Sequence, residues 1–226
     1  TFSDVCLIKN LKEMAFAISF FNGIITNKKN AGGILRIIAG THKRREIKAP
    51  KGMKTRPTSD RVKEGIFNTL REKIEGAVVL DLFSGTGNLA LESLSRGSDF
   101  AYLVEIDKNA YYTIMENVKR LEMSAKTQVF HLSWDKFIDY SAKESIKFDL
   151  IFLDPPYYGK YYSDVLNKIS SLDILNDNGV IIIETSEKIS IEELTSQVYE
   201  SVKESKYGDT KIFYFQKKRG IEYGNN

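Results

Sequence analysis

From Gly76 onward the chain alternates short apolar runs with amphipathic stretches, and this alternation constrains the fold more than any other feature of the sequence. Successive strands that are joined by helices pair in parallel and need helices on both faces of the sheet. The pattern therefore predicts an α/β protein with a doubly wound, mostly parallel sheet. The predicted strands are Val78–Leu82, Ala101–Glu105, Thr127–His131, Asp149–Leu153 and Val180–Glu184, and the predicted helices are Asn88–Arg96, Lys108–Leu121, Trp134–Tyr140 and Tyr162–Ser171.

The last part of the chain predicts an antiparallel hairpin rather than another helical crossover. Gln197–Glu204 and Thr210–Gln216 have the composition of strands, and the turn residues Lys206-Tyr207-Gly208-Asp209 lie at their junction. Together with the five strands before it, this hairpin predicts a sheet of seven strands.

A small hairpin and one helix are predicted before the sheet. Ile34–Ala39 and Arg45–Ala49 are the two short strands, and Thr58 or Ser59 can cap a helix that runs to about Lys73. Four segments follow from this division: an N-terminal extension over residues 1–33, a hairpin and helix over 34–75, the sheet domain over 76–218 and a tail over 219–226. We expect the extension to be either without fixed structure or foreign to the native protein.

Composition limits the classes of protein to which the chain can belong. With 226 residues, 42% of them hydrophobic, it can form one sizeable core. The single Cys6 excludes an intrachain disulfide and fits a reducing cytoplasm, while His42 and His131 form no cluster of metal ligands, so we expect no metal. Met14–Ile25 is too short to span a bilayer, so we expect no membrane association.

The charges are unevenly distributed although the net charge is only +3. Between Lys43 and Lys63 nine cationic residues face two acidic ones. Such an excess favours a polyanionic partner, but a solvated charged surface explains it equally well.

A glycine-bearing loop joins the first parallel strand to its helix and predicts a nucleotide-like cofactor. The spacing Gly85-x-Gly87-x-x-Ala90, with Glu105 at the end of the next strand, also satisfies the dinucleotide fingerprint, so the glycines alone do not choose the cofactor. Asp81 at the entrance of the loop would repel a pyrophosphate and attract the ammonium and sulfonium of S-adenosylmethionine. A phosphate-binding P-loop is disfavoured because no Gly-Lys-Ser/Thr follows.

The quartet Asp154-Pro155-Pro156-Tyr157 follows the apolar run over residues 150–153 and is suited to a planar amine. Asp154 can accept hydrogen bonds from an amino group, and the two prolines hold the chain extended with their carbonyls available. Tyr157 offers a face on which a base can stack. A purely structural Pro-rich turn is the alternative interpretation.

The loop and the quartet together resemble the class I S-adenosylmethionine-dependent methyltransferases, and the quartet resembles that of the members that methylate exocyclic amines of nucleobases. Further segments narrow the resemblance to the bacterial 16S rRNA (guanine-966-N2)-methyltransferases. These segments are Leu35–Gly40, Ala49–Gly52, Thr55–Val62, Asp81–Gly87, Phe148–Tyr157 and Lys206–Gly208. The resemblance implies a Rossmann-like fold, S-adenosylmethionine as the cofactor and methylation of a guanine N2 amine in small-subunit rRNA.

The resemblance also implies roles for individual residues. Those expected around the methionine part and the ribose of the cofactor are Asp81, Ser84, Gly85, Gly87 and Glu105. Arg56 and Thr58 would close over that pocket, which makes residues 34–75 a lid for cofactor and RNA. The family usually has an Asp near the adenine after the third strand, whereas this chain has Ser133 there, with Asp135 two positions later.

The implied substrate gives the basic stretch a function. The residues expected to contact RNA are Lys43, Arg44, Arg45, Lys48 and Arg61. In the implied mechanism, Asp154 and the Pro155 carbonyl accept both N–H bonds of the amine while Tyr157 stacks on the base, with Pro156 completing the quartet. We expect a monomeric cytoplasmic enzyme that acts on 16S rRNA in the small subunit or in an assembly intermediate.

Three other functions are compatible with parts of the pattern. A DNA or RNA adenine-N6 methyltransferase can use the same quartet and loop, and only the resemblance chooses guanine. An NAD-dependent oxidoreductase can use the glycine loop, although Asp81 disfavours it. A non-catalytic RNA-binding module would not need Asp154, Tyr157 and Glu105 together.

Overall fold

The computed structural model describes residues 35–50, 58–155, 160–194 and 196–218, so the predicted extension over 1–33 and the predicted tail over 219–226 lie outside the described residues. The strands are β1 (Leu35–Arg36), β2 (Glu46–Ile47), β3 (Val78–Asp81), β4 (Phe100–Val104), β5 (Thr127–Phe130), β6 (Phe148–Leu153), β7 (Leu175–Ser186), β8 (Tyr199–Tyr207) and β9 (Thr210–Lys217). The α-helices are α1 (Asp60–Thr69), α2 (Asn88–Ser95), α3 (Lys108–Arg120), α4 (Trp134–Lys143) and α5 (Lys160–Ser171). Short 3-10 helices lie at Arg71–Lys73, Ser124–Lys126 and Ile191–Leu194.

Strands β3 to β9 form one sheet in the order β5-β4-β3-β6-β7-β9-β8. The five strands β3 to β7 are parallel, whereas β9 is antiparallel to both β7 and β8. The chain runs outward from β3 to β5 and then returns to the other side of β3 as β6. This places the topological switch point, where open α/β sheets bind ligands, between β3 and β6. The predicted Rossmann-like fold with seven strands and a closing hairpin is confirmed.

The parallel strands are buried on both faces, which explains why their sequences are continuously apolar. Val79 of β3 belongs to a core with residues of α1, α2 and α3, while the next residue, Leu80, belongs to a core with residues of α4 and α5. Helices therefore cover both faces of the sheet. None of the helices within the described ranges combines the length and the apolar composition that a membrane span requires.

The N-terminal hairpin is attached to α2 by a buried carboxylate. Glu92 Oε2 accepts a hydrogen bond from the backbone N–H of Ile38 over 2.8 Å, and Glu92 Oε1 accepts one from Ala39 over 3.0 Å. The backbone after β1 thus bonds to Glu92, and the backbone after β2 bonds to the side chain of Asn117 through Lys48. β1 and β2 contain two residues each, so the predicted strands Ile34–Ala39 and Arg45–Ala49 were too long.

A buried lysine joins α1 to α2. Lys63 is 0% exposed, and its ammonium donates to Asn88 Oδ1 over 2.9 Å and to the carbonyl of Arg36. Lys63 Nζ also lies 3.6 Å from Glu92 Oε2. Burial lowers the pKa of Lys63, and the negative charges of Glu92 and Asp60 oppose that shift.

The β8–β9 hairpin packs on α1. The two strands are joined at Gly208, whose φ of 60° lies in the left-handed region that glycine tolerates. Lys203 Nζ donates to Thr69 Oγ1 over 3.0 Å. A Cβ atom on Gly65 would lie 1.9 Å from the hydroxyl oxygen of Tyr207, so the lack of a side chain at Gly65 permits this contact.

Helix α1 begins as predicted and ends earlier. Ser59 is its N-cap, and Ser59 Oγ accepts a hydrogen bond from the backbone N–H of Val62 over 3.4 Å. The α-helix ends at Thr69 and continues as the 3-10 helix Arg71–Lys73, so the predicted single helix to Lys73 was too long.

Strand β7 is longer than the predicted strand Val180–Glu184. It begins at Leu175, which pairs with Phe148, and the register shifts before Leu150 pairs. The polar residues 176–179, whose composition favours a turn, therefore lie inside the strand at an irregularity of the ladder.

Candidate active site

Four carboxylates lie at or beside the carboxyl ends of neighbouring strands. Asp81 ends β3, Glu105 follows β4, Asp154 follows β6 and Glu184 lies near the end of β7. Three of the four, all except Glu184, were predicted as site residues. Since these strands are parallel neighbours in the sheet, their ends meet at one edge, around the switch point.

The glycine loop is held in shape by the buried Ser84. Its hydroxyl donates to the Asp81 carbonyl over 2.7 Å and accepts from the Val104 N–H over 3.0 Å, which ties the ends of β3 and β4 together. Gly87, at φ 76°, precedes α2, and a Cβ atom on it would lie 3.0 Å from Leu103 Cδ2. The backbone conformation therefore favours glycine here, and a larger residue would also require the Leu103 side chain to shift.

Glu105 is bound by the loop through its side chain. Its Oε2 accepts from the Gly85 N–H and its Oε1 from the Asp107 N–H, both over 2.8 Å. Each carboxylate oxygen accepts one of these bonds, which leaves further lone pairs available. Ile106, the residue between the two acids, is 69% exposed and presents an apolar surface at the same edge.

Asp81 is 3% exposed and is the most deeply buried of the four carboxylates. Its Oδ2 accepts from the backbone N–H of Ala90, in the first turn of α2, over 3.3 Å. The pKa of Asp81 is raised to about 7, mainly by burial; the bond from Ala90 opposes the shift, and the charge of Glu105 adds to it.

Asp154 and Glu184 are neighbours on adjacent parallel strands. Leu153 pairs with Ile183, so the next residue of each strand, Asp154 and Glu184, lies at the same level of the sheet edge. Thr58 from the N-terminal segment is buried and donates its hydroxyl to Glu184 Oε2 over 2.8 Å.

Burial and mutual repulsion disfavour negative charge on this pair. Burial raises the pKa of Asp154 well above its usual value, and the charges of Glu184 and Asp81 raise it further. Burial also raises the pKa of Glu184, against the hydrogen bond from Thr58. Pro155, which follows Asp154, is buried.

The four carboxylates have no cationic counter-ion among the described residues. Every ion pair found within residues 35–50, 58–155, 160–194 and 196–218 involves other acidic groups. No group of His, Cys, Asp and Glu within the same ranges is arranged to hold a metal ion. This sheet edge therefore favours a positively charged ligand over an anionic one.

Ser133 lies at the start of α4 as its N-cap residue and forms no capping hydrogen bond with its side chain. Its hydroxyl instead bonds to Asp135, and this bond is the main cause of the lowered pKa of Asp135. The two polar residues considered for this position are thus in contact with each other after β5.

The predicted RNA-contact residues fall into two groups. Lys48 forms an ion pair with Glu116, and Arg45 lies 3.8 Å from Glu122 and donates to the carbonyl of Arg120 over 2.6 Å. These two cations are partly neutralised by α3 and its C-terminal turn. The second group is the other three predicted residues, Lys43, Arg44 and Arg61. They are exposed, and no ion pair is found for them in the described part of the chain.

Three predicted site residues, Arg56, Pro156 and Tyr157, lie outside the described residues. Two residues were missed by the sequence reasoning. Glu184 carries the same signal as Asp154, namely an acid directly after an apolar run, and could have been found. Lys63 was counted with the basic stretch because nothing in the local sequence identifies its buried partner on α2.

The comparisons with known proteins agree with this geometry. Residues 35–216 match the model of the family described as Conserved hypothetical protein 95. The chain is 37% identical over 186 residues to the Bacillus subtilis protein named "Putative rRNA methyltransferase YlbH", which covers 82% of this chain and 100% of that protein. It is 33% identical to "Ribosomal RNA small subunit methyltransferase D" of Haemophilus influenzae, over 69% of this chain and 81% of the relative.

A solved structure has the same architecture. The Escherichia coli protein named "Putative methyltransferase yhhF" superposes with a TM-score of 0.71 at 26% sequence identity. The superposition covers 82% of this chain and 98% of that protein.

Proposed function

The chain belongs to the family described as Conserved hypothetical protein 95, and from this premise we propose that it methylates the exocyclic N2 amine of a guanine in 16S rRNA with S-adenosylmethionine as the methyl donor. The reaction class and the RNA substrate are supported by relatives that are named as rRNA methyltransferases. An adenine-N6 methyltransferase is not favoured by these names. The substrate form is 16S rRNA within the small subunit or an assembly intermediate, and the enzyme acts as a monomer.

The observation that carries the proposal is the pair Asp81 and Asp154, which lie on either side of the switch point without a cationic partner among the described residues. When ionised, these carboxylates attract the ammonium and sulfonium groups of S-adenosylmethionine, whose positive charge opposes the effect of burial on their pKa. They also repel the pyrophosphate of NAD, which disfavours the oxidoreductase alternative.

The residues present fit the cofactor. Asp81 would face the charged methionine part, and the loop glycines Gly85 and Gly87 allow close approach to the backbone, with Ser84 fixing the loop. The free lone pairs of Glu105 would accept hydrogen bonds from ribose hydroxyls.

The adenine end and the lid complete the proposed cofactor site. Exposed Ile106 offers an apolar surface to the adenine ring, and Ser133 with Asp135 supplies polar groups after β5. Thr58, fixed on Glu184, and Arg56 would cover the pocket from the N-terminal side.

The quartet would bind the base and activate its amine. An exocyclic amine is a poor nucleophile because its lone pair is delocalised into the ring. Asp154 and the Pro155 carbonyl would accept both N–H bonds, which favours a tetrahedral nitrogen, while Tyr157 stacks on the flipped base and Pro156 fixes the turn. In-line placement of the amine would contribute most of the acceleration, since effective molarities are worth roughly 7–11 kcal/mol.

The decisive experiment is transfer of labelled methyl groups to undermodified small subunits, naked 16S rRNA and DNA, followed by mapping of the modified base. We expect label in RNA at a guanine, and none when inosine, which lacks the N2 amine, replaces that guanine. Label in adenine or in DNA would contradict the proposal. As a control, Asp154→Ala should abolish methyl transfer while S-adenosylhomocysteine still binds.

A thermal-shift assay separates the two cofactor classes. Stabilisation of the protein by NAD instead of S-adenosylhomocysteine would support the oxidoreductase.

A further inference from the structure

Glu184 is an acidic residue next to the proposed catalytic carboxylate, and the mechanism above does not use it. It lies beside Asp154 because Leu153 and Ile183 are paired in register on adjacent parallel strands. Both carboxylates are half-buried, so each retains some access to solvent.

Two carboxylates in this arrangement hold protons jointly. Neither has a cationic partner in the part of the chain that the structure describes, and like charges in a partly buried site resist simultaneous ionisation. The pair therefore titrates as a unit, so that the protonation state of one carboxylate changes the pKa of the other. The Thr58 hydroxyl, which donates to Glu184 Oε2 over 2.8 Å, stabilises the ionised form of Glu184 and so favours release of a proton from Glu184 to water.

We propose that Glu184 is the positioning residue that removes the proton of the reaction from Asp154, an inference that rests on the proposed methylation of an amine. The nitrogen of the substrate forms a bond to the methyl carbon, the carbon–sulfur bond breaks, and its electron pair goes to sulfur. The nitrogen then loses one proton to Asp154, Asp154 passes that proton to Glu184, and Glu184 releases it to water. Charge and atoms balance with no further reactant.

The groups that face the pair from each packed element are few among the described residues. Asp81 on β3 is the other acid close enough to Asp154 to raise its pKa. From α5, the hydroxyl of Tyr162 donates to the Glu184 backbone carbonyl over 3.4 Å. Thr58 is the neutral donor to the carboxylate itself.

The test compares single-turnover methylation of undermodified 16S rRNA across the acidic limb of the pH–rate profile in the wild type, Glu184→Gln and Thr58→Val. In Glu184→Gln, Asp154 loses its like-charged neighbour, so the limb moves to lower pH, and the plateau rate falls about tenfold because the second acceptor is absent. In Thr58→Val, Glu184 loses the bond that lowers its pKa. The pair of carboxylates then takes up its first proton at a higher pH, and the acidic limb moves to higher pH with it. S-adenosylhomocysteine affinity should be unchanged in Glu184→Gln. In Thr58→Val, whose side chain lies at the proposed cofactor pocket, rates are compared at saturating S-adenosylmethionine so that a change in affinity does not move the limb.

The opposite directions of the two shifts separate a proton relay from a structural role. A uniform rate loss at every pH, or an unchanged acidic limb in both variants, would overturn the relay. The proposed function would still stand in that case, because the wild type methylates the RNA. If Glu184→Gln fails to bind S-adenosylhomocysteine, the shift in Thr58→Val alone decides. If the wild type methylates no RNA, the proposed function fails and the relay with it.

Discussion

Lys63 Nζ donates a 2.9 Å hydrogen bond to Asn88 Oδ1, and neither residue is more than 5% exposed. Asn88 is the first residue of α2 and directly follows Gly87 of the glycine loop. The contact therefore connects the helix of the N-terminal segment to the base of the proposed cofactor site.

Replacing Lys63 should strongly destabilise the protein. Lys63→Met removes the ammonium that bonds Asn88 Oδ1 and the Arg36 carbonyl, while Glu92 keeps its ion pair with Arg96. Leaving buried acceptors without their donor costs about 1–3 kcal/mol. Urea unfolding measures the loss. The matched control is Lys206→Met, which removes an exposed ion pair with Glu187 and should leave the unfolding free energy nearly unchanged. Equal effects of the two substitutions would show that burial of Lys63 is energetically irrelevant.

The buried Asp81 should make the ligand-free protein less stable as the pH rises. Its folded pKa, about 7, lies above its value of 3.8 in an unfolded chain, so the folded state binds more protons between these values. The contribution of Asp81 to the free energy of unfolding is therefore fully present below the unfolded pKa, and it is lost as the pH rises through 7. Asp81→Asn, which keeps an acceptor for the Ala90 N–H, should gain about 2–4 kcal/mol over the wild type at pH 8 and little at acidic pH.

The same substitution should weaken cofactor binding with the opposite pH dependence. Ionised Asp81 attracts the positive methionine part, so wild-type affinity for S-adenosylmethionine should rise through pH 7, whereas that of Asp81→Asn should not. Isothermal titration calorimetry at acidic and alkaline pH measures both. Asp135→Asn is the control, because the pKa of Asp135 is lowered rather than raised and gives no transition near neutrality. Parallel curves for wild type and Asp81→Asn would contradict the prediction.

Gly87 and Gly208 form a matched pair for separating backbone strain from packing. Both have positive φ, 76° and 60°, but a Cβ atom would meet Leu103 at 3.0 Å in the first case and nothing within 4 Å in the second. Gly208→Ala should cost about 1–2 kcal/mol of stability from strain alone. Gly87→Ala should cost more and should also weaken S-adenosylhomocysteine binding, which Gly208→Ala leaves intact. Denaturant unfolding and a binding titration provide the two readouts.

Charge reversal on the N-terminal segment should weaken RNA binding and flatten its dependence on salt. Lys43 and Arg44 are exposed and form no ion pair within the described ranges. Reversing their charges should reduce the magnitude of the slope of log affinity against log salt by about one for each RNA phosphate that is no longer neutralised. Reversing Arg45, which is already close to Glu122, should have a smaller effect. Cofactor affinity should not change, and Lys143→Glu on α4 is the control for net charge. Equal slopes in all variants would exclude this surface from RNA binding.

Much of the site was predictable because its residues obey one local rule. Asp81, Glu105 and Asp154 are each the first acid after an apolar run, and parallel strands bring such positions to the same edge. Glu184 obeys the rule as well. Its place beside Asp154 depends on the order of β6 and β7 in the sheet, which the local pattern does not specify.

Contacts between distant segments could not be derived from local patterns. Lys63 has the sequence signature of a solvated cation, and its burial depends on Asn88 and Glu92, which a separate helix contributes. The same cause explains the short N-terminal strands, because Glu92 bonds the backbone of Ile38 and Ala39 after β1 and Asn117 bonds that of Lys48 after β2. Nor does composition reveal that Arg45 and Lys48 are paired with acids of the α3 region.

The contacts of α1 with the distal part of the chain have a kinetic consequence. Its residue Thr69 bonds to Lys203 across 134 positions, and Thr58 bonds to Glu184 across 126. A nascent chain that emerges from the ribosome at about 5–20 residues per second would expose the helix for many seconds before these partners arrive. The segment with the basic residues would first be held by α2 and α3, and it would gain its last contacts only when β7 and β8 join the sheet. Newly made protein would therefore complete its proposed RNA-contact surface at the same time as the carboxylate edge of the sheet.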